Sequence, residues 1–249
     1  MCKLNERRGI LKNSLSYLID IKIGDIISVV GSGGKTTFIY NLAKEIKNEK
    51  ILISTTTNML YPEENQVDYF FCLAEDNKIS IKEGRTFIAG EKVSKNKISG
   101  DISLIKKYIS RFDYILLECD GSKTKPLKGW NSTEPVILNE TTKTIGIIPL
   151  HIVGEKITEK NIHRIEIFNN VFKTKIGDEI TLNVIAEIIT NPKGLFKDAV
   201  GEKILFLNRI NNKKSKELVW KLLEILSRKN KNSLKIIGGD LKKNKYYEF

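Results

Sequence analysis

The sequence contains few of the residues that cross-link small proteins. Its three cysteines, Cys2, Cys72 and Cys119, lie far apart and form no CxxC pair, which argues against a disulfide framework or a zinc knuckle and favours a reducing compartment. Its two histidines, His151 and His163, belong to neither an HExxH motif nor a Cys/His pattern, so no zinc site is predicted. A chain of 249 residues can bury a large core without such cross-links.

Long apolar runs are also missing. No window approaches the roughly 18 apolar residues of a membrane-spanning helix. The opening stretch, MCKLNERRGILKN, lacks the apolar segment of a signal peptide. We therefore expect a cytoplasmic protein that does not associate with membranes.

Arginine is scarce among the basic residues. The net charge is +12, yet 7 of the 42 basic residues are arginines and the other 35 are lysines scattered along the chain. A charge of this size favours anionic ligands. Nucleic-acid-binding proteins more often cluster arginines among aromatic residues, so we expect a solvated, lysine-rich surface rather than nucleic-acid binding.

Short apolar runs rich in β-branched residues alternate with helical patterns. The run DIISVV is followed by a glycine-rich loop, a helical pattern and a second run, KILISTTT, which predicts parallel strands joined by a right-handed crossover. We expect one α/β domain over residues 1–249, with a mostly parallel sheet, helices on both faces, an irregular insertion at about 60–100 and a C-terminal βαβ part at about 200–249. The predicted strands are 25–30, 50–57, 69–74, 86–90, 113–121, 144–150, 203–210 and 234–241, and the predicted helices are 11–19, 36–48, 101–112, 159–171, 181–190 and 215–229.

The glycine-rich loop lies in the stretch VVGSGGKTTFIY, residues 29–40. The full phosphate-binding pattern GxxxxGK[ST] would place a glycine at Val29, so this loop is a shorter form. Glycines allow backbone N–H groups to turn toward an anion, and the following helix N-terminus adds positive potential. We predict a P-loop NTPase-like site for ATP or GTP, formed by Gly31, Ser32, Gly33, Gly34, Lys35, Thr36 and Thr37.

The strand DYILLECDG ends with two carboxylates, Glu118 and Asp120. Side chains two apart on a strand share a face, so both can face a metal-bound phosphate while Cys119 packs on the sheet. We predict Lys35, Glu118 and Asp120 as catalytic residues. The predicted Mg²⁺ ligands are the Thr36 hydroxyl with Glu118 or Asp120, because Mg²⁺ prefers oxygen.

Three further segments are candidates for ligand contacts. The hydroxyls of Thr55–Thr57 suit Mg²⁺ or a second substrate, and Lys125 and Lys128 in the next loop suit a phosphate or another anion. Asn208 stands where many GTPases carry Asn-Lys-x-Asp. The segment here reads Asn-Arg-Ile-Asn, and an asparagine in place of the aspartate does not accept two hydrogen bonds from guanine. The choice between ATP and GTP therefore stays open.

Several motifs together resemble the YqeC family, accessory proteins of selenium-dependent molybdenum hydroxylases. They are GDIISVVGSGGKTT, ILISTTTNM, FDYILLECDGSKTKPLKGWNSTEPVI, HIVGEKITEKNIHRIE and ILFLNRI, in this order over roughly residues 14–211. Cys119 stands where the family usually has alanine, and Gly129-Trp130 replaces Ala-Pro. The resemblance implies a nucleotide-binding maturation factor whose partner is a molybdenum hydroxylase or its cofactor-assembly machinery.

Three functions agree with these patterns. The first is a Mg²⁺-dependent NTPase that acts as a maturation factor. The second is an ATP-dependent transferase or ligase for a small anionic substrate or cofactor, bound by the threonine cluster with Lys125 and Lys128. The third is a basic, nucleic-acid-associated ATPase, for which affinity should fall steeply with salt.

Overall fold

The computed structural model describes residues 13–46, 48–62, 66–71, 86–94, 96–229 and 234–249. Nine strands form one sheet, and its order from edge to edge is β14-β13-β12-β10-β1-β8-β2-β5-β4. Neighbouring strands run parallel except β13 and β14, which are antiparallel. The strands are β1 Ile26–Gly31, β2 Ile51–Thr55, β4 Tyr69–Phe71, β5 Thr86–Ala89, β8 Tyr114–Glu118, β10 Lys143–Pro149, β12 Glu202–Asn208, β13 Lys235–Asp240 and β14 Lys245–Glu248.

Apolar residues of the central strands alternate between two cores, because successive side chains point to opposite faces of a sheet. Ile27 and Val29 of β1 pack in one core with helices α1 and α2, while Ile26 and Val30 pack in the other with α3, α4, α5 and α6. The α/β class, the mostly parallel sheet and the helices on both faces are thus confirmed. The helices are α1 Leu15–Leu18, α2 Lys35–Glu45, α3 Ile102–Tyr108, α4 Ile165–Phe172, α5 Leu182–Thr190 and α6 Lys213–Arg228.

Two smaller sheets complete the architecture. Strands β3 (Asn58–Leu60), β6 (Glu91–Ser94) and β7 (Lys97–Ser99) form an antiparallel sheet within the segment predicted as an irregular insertion. Strands β9 (Leu127–Lys128) and β11 (Ile162–His163) pair in parallel.

The structure corrects two predicted elements. The helix expected over 159–171 begins at Ile165, because Ile162 and His163 pair with β9 and Arg164 adopts a left-handed φ of 56°. The strand predicted at 234–241 is not the last one, since β14 adds an antiparallel strand at the sheet edge. Residues 11 and 12 of the first predicted helix and 72–74 of a predicted strand lie outside the described residues, as do Cys2 and Cys72.

Side-chain caps mark the first turns of two other helices. Asp101 accepts hydrogen bonds from Ser103 N and Leu104 N at the start of α3, as expected of an N-cap, and Thr181 caps α5 through Val184 N. None of the helices in the described part of the chain has the length and apolar character that crossing a bilayer requires.

Candidate functional site

The glycine loop connects β1 to α2 at the carboxyl end of the central strands. Gly31 has a φ of 97°, and a Cβ there would lie 2.3 Å from the carbonyl oxygen of Ile147 on the neighbouring strand. Gly34, the residue before α2, has a φ of 146° and makes no side-chain cap to the helix. The loop therefore needs glycine at both positions, and the start of α2 stays open to an external acceptor.

Lys35 is buried between the two predicted carboxylates. Its side chain is 4% exposed, and its Nζ lies 3.6 Å from Glu118 Oε1 and 3.3 Å from Asp120 Oδ1. The same ammonium donates a hydrogen bond of 2.8 Å to the carbonyl oxygen of Gly31. The structure thus brings the predicted lysine and both carboxylates together, although the lysine comes from α2 and the carboxylates from the end of β8 and the residues just after it.

Thr36 lies at the same place, on the first turn of α2. Its hydroxyl donates to Glu118 Oε2 at 2.7 Å, so the two predicted metal ligands are adjacent. Thr37 is exposed. Ser32 is buried, and its hydroxyl donates to the carbonyl oxygen of Pro126 rather than facing the loop interior.

Asp120 is fully buried and has several donors around it. Oδ2 accepts hydrogen bonds from Gly31 N at 3.0 Å and from Trp130 Nε1 at 2.8 Å, and it lies 3.3 Å from Lys128 Nζ. Oδ1 has no hydrogen-bond donor, although the Lys35 ammonium forms an ion pair with it. Asp120 therefore connects the glycine loop to the segment that follows β8.

Burial and charge shift the ionisation of this cluster. Burial alone would lower the pKa of Lys35, but the carboxylates of Asp120 and Glu118 outweigh it and raise that pKa. Burial raises the pKa of Glu118, and the Lys35 ammonium and the Thr36 hydrogen bond offset this only in part. Lys35 is thus held as a cation, and Glu118 binds a proton more readily than an exposed glutamate does.

Behind Asp120 lies a layer of charged residues, Lys128, Glu134 and Arg164, of which only Lys128 was predicted from the sequence to contact an anion. Lys128 Nζ lies 2.8 Å from Glu134 Oε2, and Arg164 donates to the same oxygen at 2.6 Å. Burial would raise the pKa of Glu134, but the bonds from Arg164 and Lys128 outweigh it and lower that pKa to about 2. In the sequence, Glu134 belongs to the segment Glu134-Pro135-Val136-Ile137, which ends the third of the motifs that resemble the YqeC family.

The segment that carries the loop and the acidic strand end is shared with known proteins. The family model described as YqeC protein matches residues 27–166, more than half of the chain. The chain belongs to the YqeC family. The Uncharacterized protein YqeC of Escherichia coli (strain K12) is 29% identical over 196 residues, which are 75% of this chain and 76% of the relative. No solved structure gives a significant match.

Asn208 lies outside the part of the chain that matches the YqeC model. It is buried, and its Nδ2 donates to the carbonyl oxygen of Gly33 at 2.6 Å. Its Oδ1 accepts from Leu241 N at 3.2 Å and from Arg209 N at 2.8 Å. The side chain therefore holds the glycine loop against the ends of β12 and β13.

The candidate second-substrate residues use their polar groups internally. Lys125 donates to the carbonyl oxygens of Glu159 and Ile162, and Lys128 belongs to the charged layer described above. Thr55 and Thr56 donate to backbone carbonyl oxygens of Glu118 and Val136. Thr57 is the exception, with a buried hydroxyl that lacks a hydrogen-bond partner.

The remaining titratable candidates carry no separate site. Cys119 is buried, as expected of a packing cysteine, and burial raises the pKa of its thiol to about 12. Burial lowers the pKa of His163 to about 4, with help from Arg164 and Lys128. Within the ranges that the structure describes, no group of three or more His, Cys, Asp and Glu side chains could hold a metal ion.

Proposed function

We propose that this YqeC-family protein binds a nucleoside triphosphate, ATP or GTP, with Mg²⁺ in the loop of residues 31–37 and hydrolyses its terminal phosphate. The observation that carries the proposal is the meeting of Lys35, Thr36, Glu118 and Asp120 at the carboxyl ends of two adjacent parallel strands. Crevices at the carboxyl ends of parallel strands are where open α/β sheets bind ligands.

The oxygen atoms at this place fit Mg²⁺. The Thr36 hydroxyl and a Glu118 oxygen are 2.7 Å apart, and Asp120 Oδ1 is buried without a hydrogen-bond donor. Mg²⁺ at phosphate sites takes one or two carboxylates and completes its shell with water and phosphate, so two carboxylates are sufficient. When bound, the ion neutralises charge on the phosphate oxygens.

The chain's own residues would then act by position and charge. The open N-terminus of α2 donates backbone N–H groups to phosphate, and Lys35 turns from the carboxylates to the terminal phosphates. Glu118 and Asp120 hold the metal or orient the attacking water. In this hypothesis the ion pairs of Lys35 keep the ammonium in the site until the nucleotide arrives.

The link from Asp120 to Trp130 and Lys128 supports a role for the following loop, residues 121–137, as the part that responds to hydrolysis. The YqeC resemblance implies an accessory role in the maturation of a selenium-dependent molybdenum hydroxylase. We therefore infer that the hydroxylase or its cofactor-assembly machinery contacts this loop, in the cytoplasm, and responds to its conformation. The transferase alternative has less support, because Lys125, Lys128, Thr55 and Thr56 make internal bonds.

The test is equilibrium binding of ATP and of GTP with Mg²⁺, measured by calorimetry. Wild type should bind one of them, and Lys35→Met and Thr36→Val should each bind it at least about tenfold more weakly, the equivalent of about 1.4 kcal/mol. Lys44→Met is the control, because Lys44 lies on the same helix and is exposed. Nucleotide hydrolysis should be lost in the same two variants.

Two controls keep the result interpretable. Lys35→Met leaves buried carboxylates without their cation, so its fold is checked by circular dichroism, and Thr36→Val serves as the variant that leaves the ion pairs in place. If folded wild-type protein binds neither nucleotide, or if both variants bind as wild type does, the proposal is wrong.

A further inference from the structure

A groove of about 360 Å³ lies at the ends of β12 and β13, apart from the Lys35 cluster. Four lysines line it, Lys213 and Lys216 from α6 and Lys243 and Lys245 from the turn into β14, together with a single carboxylate, Asp240. The volume is within the range of about 300–1,000 Å³ that is typical of small-molecule sites. The lining therefore has four positive charges against one negative charge.

The four lysines line the groove without matching carboxylates. Among the described residues, none of the four forms an ion pair, whereas Lys35, Lys128 and Lys143 each do. Asp240 is buried, and its Oδ1 accepts a hydrogen bond from Lys242 N, so this carboxylate stabilises the turn. Only solvent or a bound anion can therefore reduce the repulsion between the ammonium groups of these lysines.

The helix start increases the positive potential of this lysine groove. Lys213 and Lys216 lie at the N-terminal end of α6, whose first turn contains no acidic residue. The positive end of the helix dipole disfavours cations and favours anions. Lys216 Nζ also lies 4.5 Å from the ring centroid of Tyr247, which positions the ammonium at the wall of the groove. Cavity, side-chain charge and helix direction thus all favour an anion.

We propose that the lysine groove is a second anion-binding site, which takes a small molecule carrying a diphosphate or two neighbouring phosphate groups. A ligand with several charges is favoured, because the lysines that line the groove come from two separate segments of the chain. The site lies close to the glycine loop, since Asn208 bonds both Gly33 O and Leu241 N, and Leu241 follows Asp240. The assignment does not depend on nucleotide hydrolysis.

The test is calorimetric titration of the full chain with inorganic pyrophosphate at low, fixed ionic strength. Wild type should bind at two sites, one in the glycine loop and one in the lysine groove. The double variant Lys216→Gln/Lys243→Gln should weaken the groove site by about tenfold, the sum of two modest charge contacts, and leave the loop site unchanged. Lys35→Met should do the reverse.

The control is Lys107→Gln/Lys160→Gln, which removes the same charge from two exposed lysines outside the groove. Thermal unfolding verifies that both double variants are folded. Equal binding by the two double variants would overturn the proposal. The proposal would also be wrong if wild type bound pyrophosphate at one site only and both Lys35→Met and the groove variant lost that site. The groove and the glycine loop would then be two parts of the same site.

A further titration tests whether the groove binds a small ligand or a nucleic acid. A single-stranded oligonucleotide is titrated against wild type and the groove variant, with and without pyrophosphate. Binding of the oligonucleotide in the groove without any binding of pyrophosphate there would overturn the small-molecule assignment. If pyrophosphate binds in the groove and not in the loop, the groove site stands, and the proposed NTPase is decided by the nucleotide titrations with Mg²⁺.

Discussion

The ammonium of Lys35 lies 3.3 Å from Asp120 Oδ1, and both side chains are buried. The lysine follows the glycine loop, and the aspartate follows β8, which lies beside β1 in the sheet. Removing one partner of a buried ion pair leaves a charge without compensation, and this costs more than the pair itself contributes. The cluster should therefore respond to single substitutions more strongly than to paired ones.

The first prediction is a double-mutant cycle on this pair. Lys35→Met should lower the free energy of unfolding by about 3 kcal/mol at neutral pH. The double variant Lys35→Met/Asp120→Asn should recover about 1 kcal/mol or more of that loss, because the buried negative charge is also removed. Urea denaturation of the four proteins measures the coupling. Strictly additive losses would show that the two charges do not compensate each other.

The second prediction concerns pH and Glu134. Its pKa is lowered from 4.5 to about 2 in the folded protein. The ionised Glu134 therefore stabilises the fold fully above its unfolded pKa of 4.5, and this stabilisation is lost as the pH falls from about 4.5 to about 2. The full shift corresponds to about 3 kcal/mol, which solvent at the partly exposed carboxylate reduces to about 1–2 kcal/mol.

Wild type should therefore be more stable than Glu134→Gln at pH 7 by that amount, and the difference should shrink when denaturation is repeated near pH 3. Glu140→Gln is the comparison, since Glu140 pairs with the exposed Lys106 and should contribute much less than Glu134 does. A difference between wild type and Glu134→Gln that does not change with pH would refute the assignment.

The third prediction uses the two tryptophans. Trp130 donates its indole N–H to the buried Asp120, whereas Trp220 is 61% exposed and contacts Phe249 edge to face. Trp130→Phe should lower the free energy of unfolding by about 1.5–3 kcal/mol, because a buried charged acceptor loses a donor. Trp220→Phe should stay within about 0.5 kcal/mol of wild type. Guanidinium denaturation followed by circular dichroism compares the two, and equal losses would contradict the prediction.

The Asp120–Trp130 bond also shows what sequence patterns can and cannot predict. The parallel sheet and the strand–loop–helix unit followed from local periodicity, and parallel strands place their carboxyl ends at one edge, so the approach of Lys35 to Glu118 and Asp120 was predictable. The return of Lys128 and Trp130 onto Asp120 depends on a long loop with no periodicity. Local patterns contain no information on such contacts.

The same limit explains the two corrections in the fold. The apolar spacing of residues 159–171 predicts one helix, but pairing of Ile162 with Leu127 prevents its first part from forming, because a tertiary contact overrides a local preference. Strand β14 is short, with an exposed charged residue at each end. Its place depends on pairing with β13, which its own residues do not specify.

The fourth prediction compares two glycines with nearly the same backbone conformation. Gly31 has a φ of 97° and Gly154 a φ of 94°, but only at Gly31 would a Cβ meet another atom, 2.3 Å from Ile147 O. Gly154→Ala should cost about 1–2 kcal/mol for the backbone conformation alone. Gly31→Ala should cost about 1–3 kcal/mol more, because the strands must separate. Thermal unfolding of both variants gives the difference, and equal costs would contradict the close approach.

The last prediction assigns Asn208 a supporting role for the glycine loop. Asn208→Asp keeps an acceptor for Leu241 N and Arg209 N but places a carboxylate oxygen against the carbonyl of Gly33. The free energy of unfolding should fall by about 1–3 kcal/mol, because a buried donor is lost and two acceptors face each other. Asn211→Asp, at an exposed position three residues later, should change it by less than about 0.5 kcal/mol.

Measurements of nucleotide binding distinguish two roles for Asn208, support of the glycine loop and recognition of the base. If Asn208 supports the loop, Asn208→Asp weakens the binding of ATP and of GTP by the same factor, because both nucleotides bind through phosphate groups to the disturbed loop. If Asn208 reads the base, the substitution changes the ratio of the two affinities instead. Calorimetry with both nucleotides on wild type and on Asn208→Asp decides between these roles, since the loop contact acts on phosphate alone.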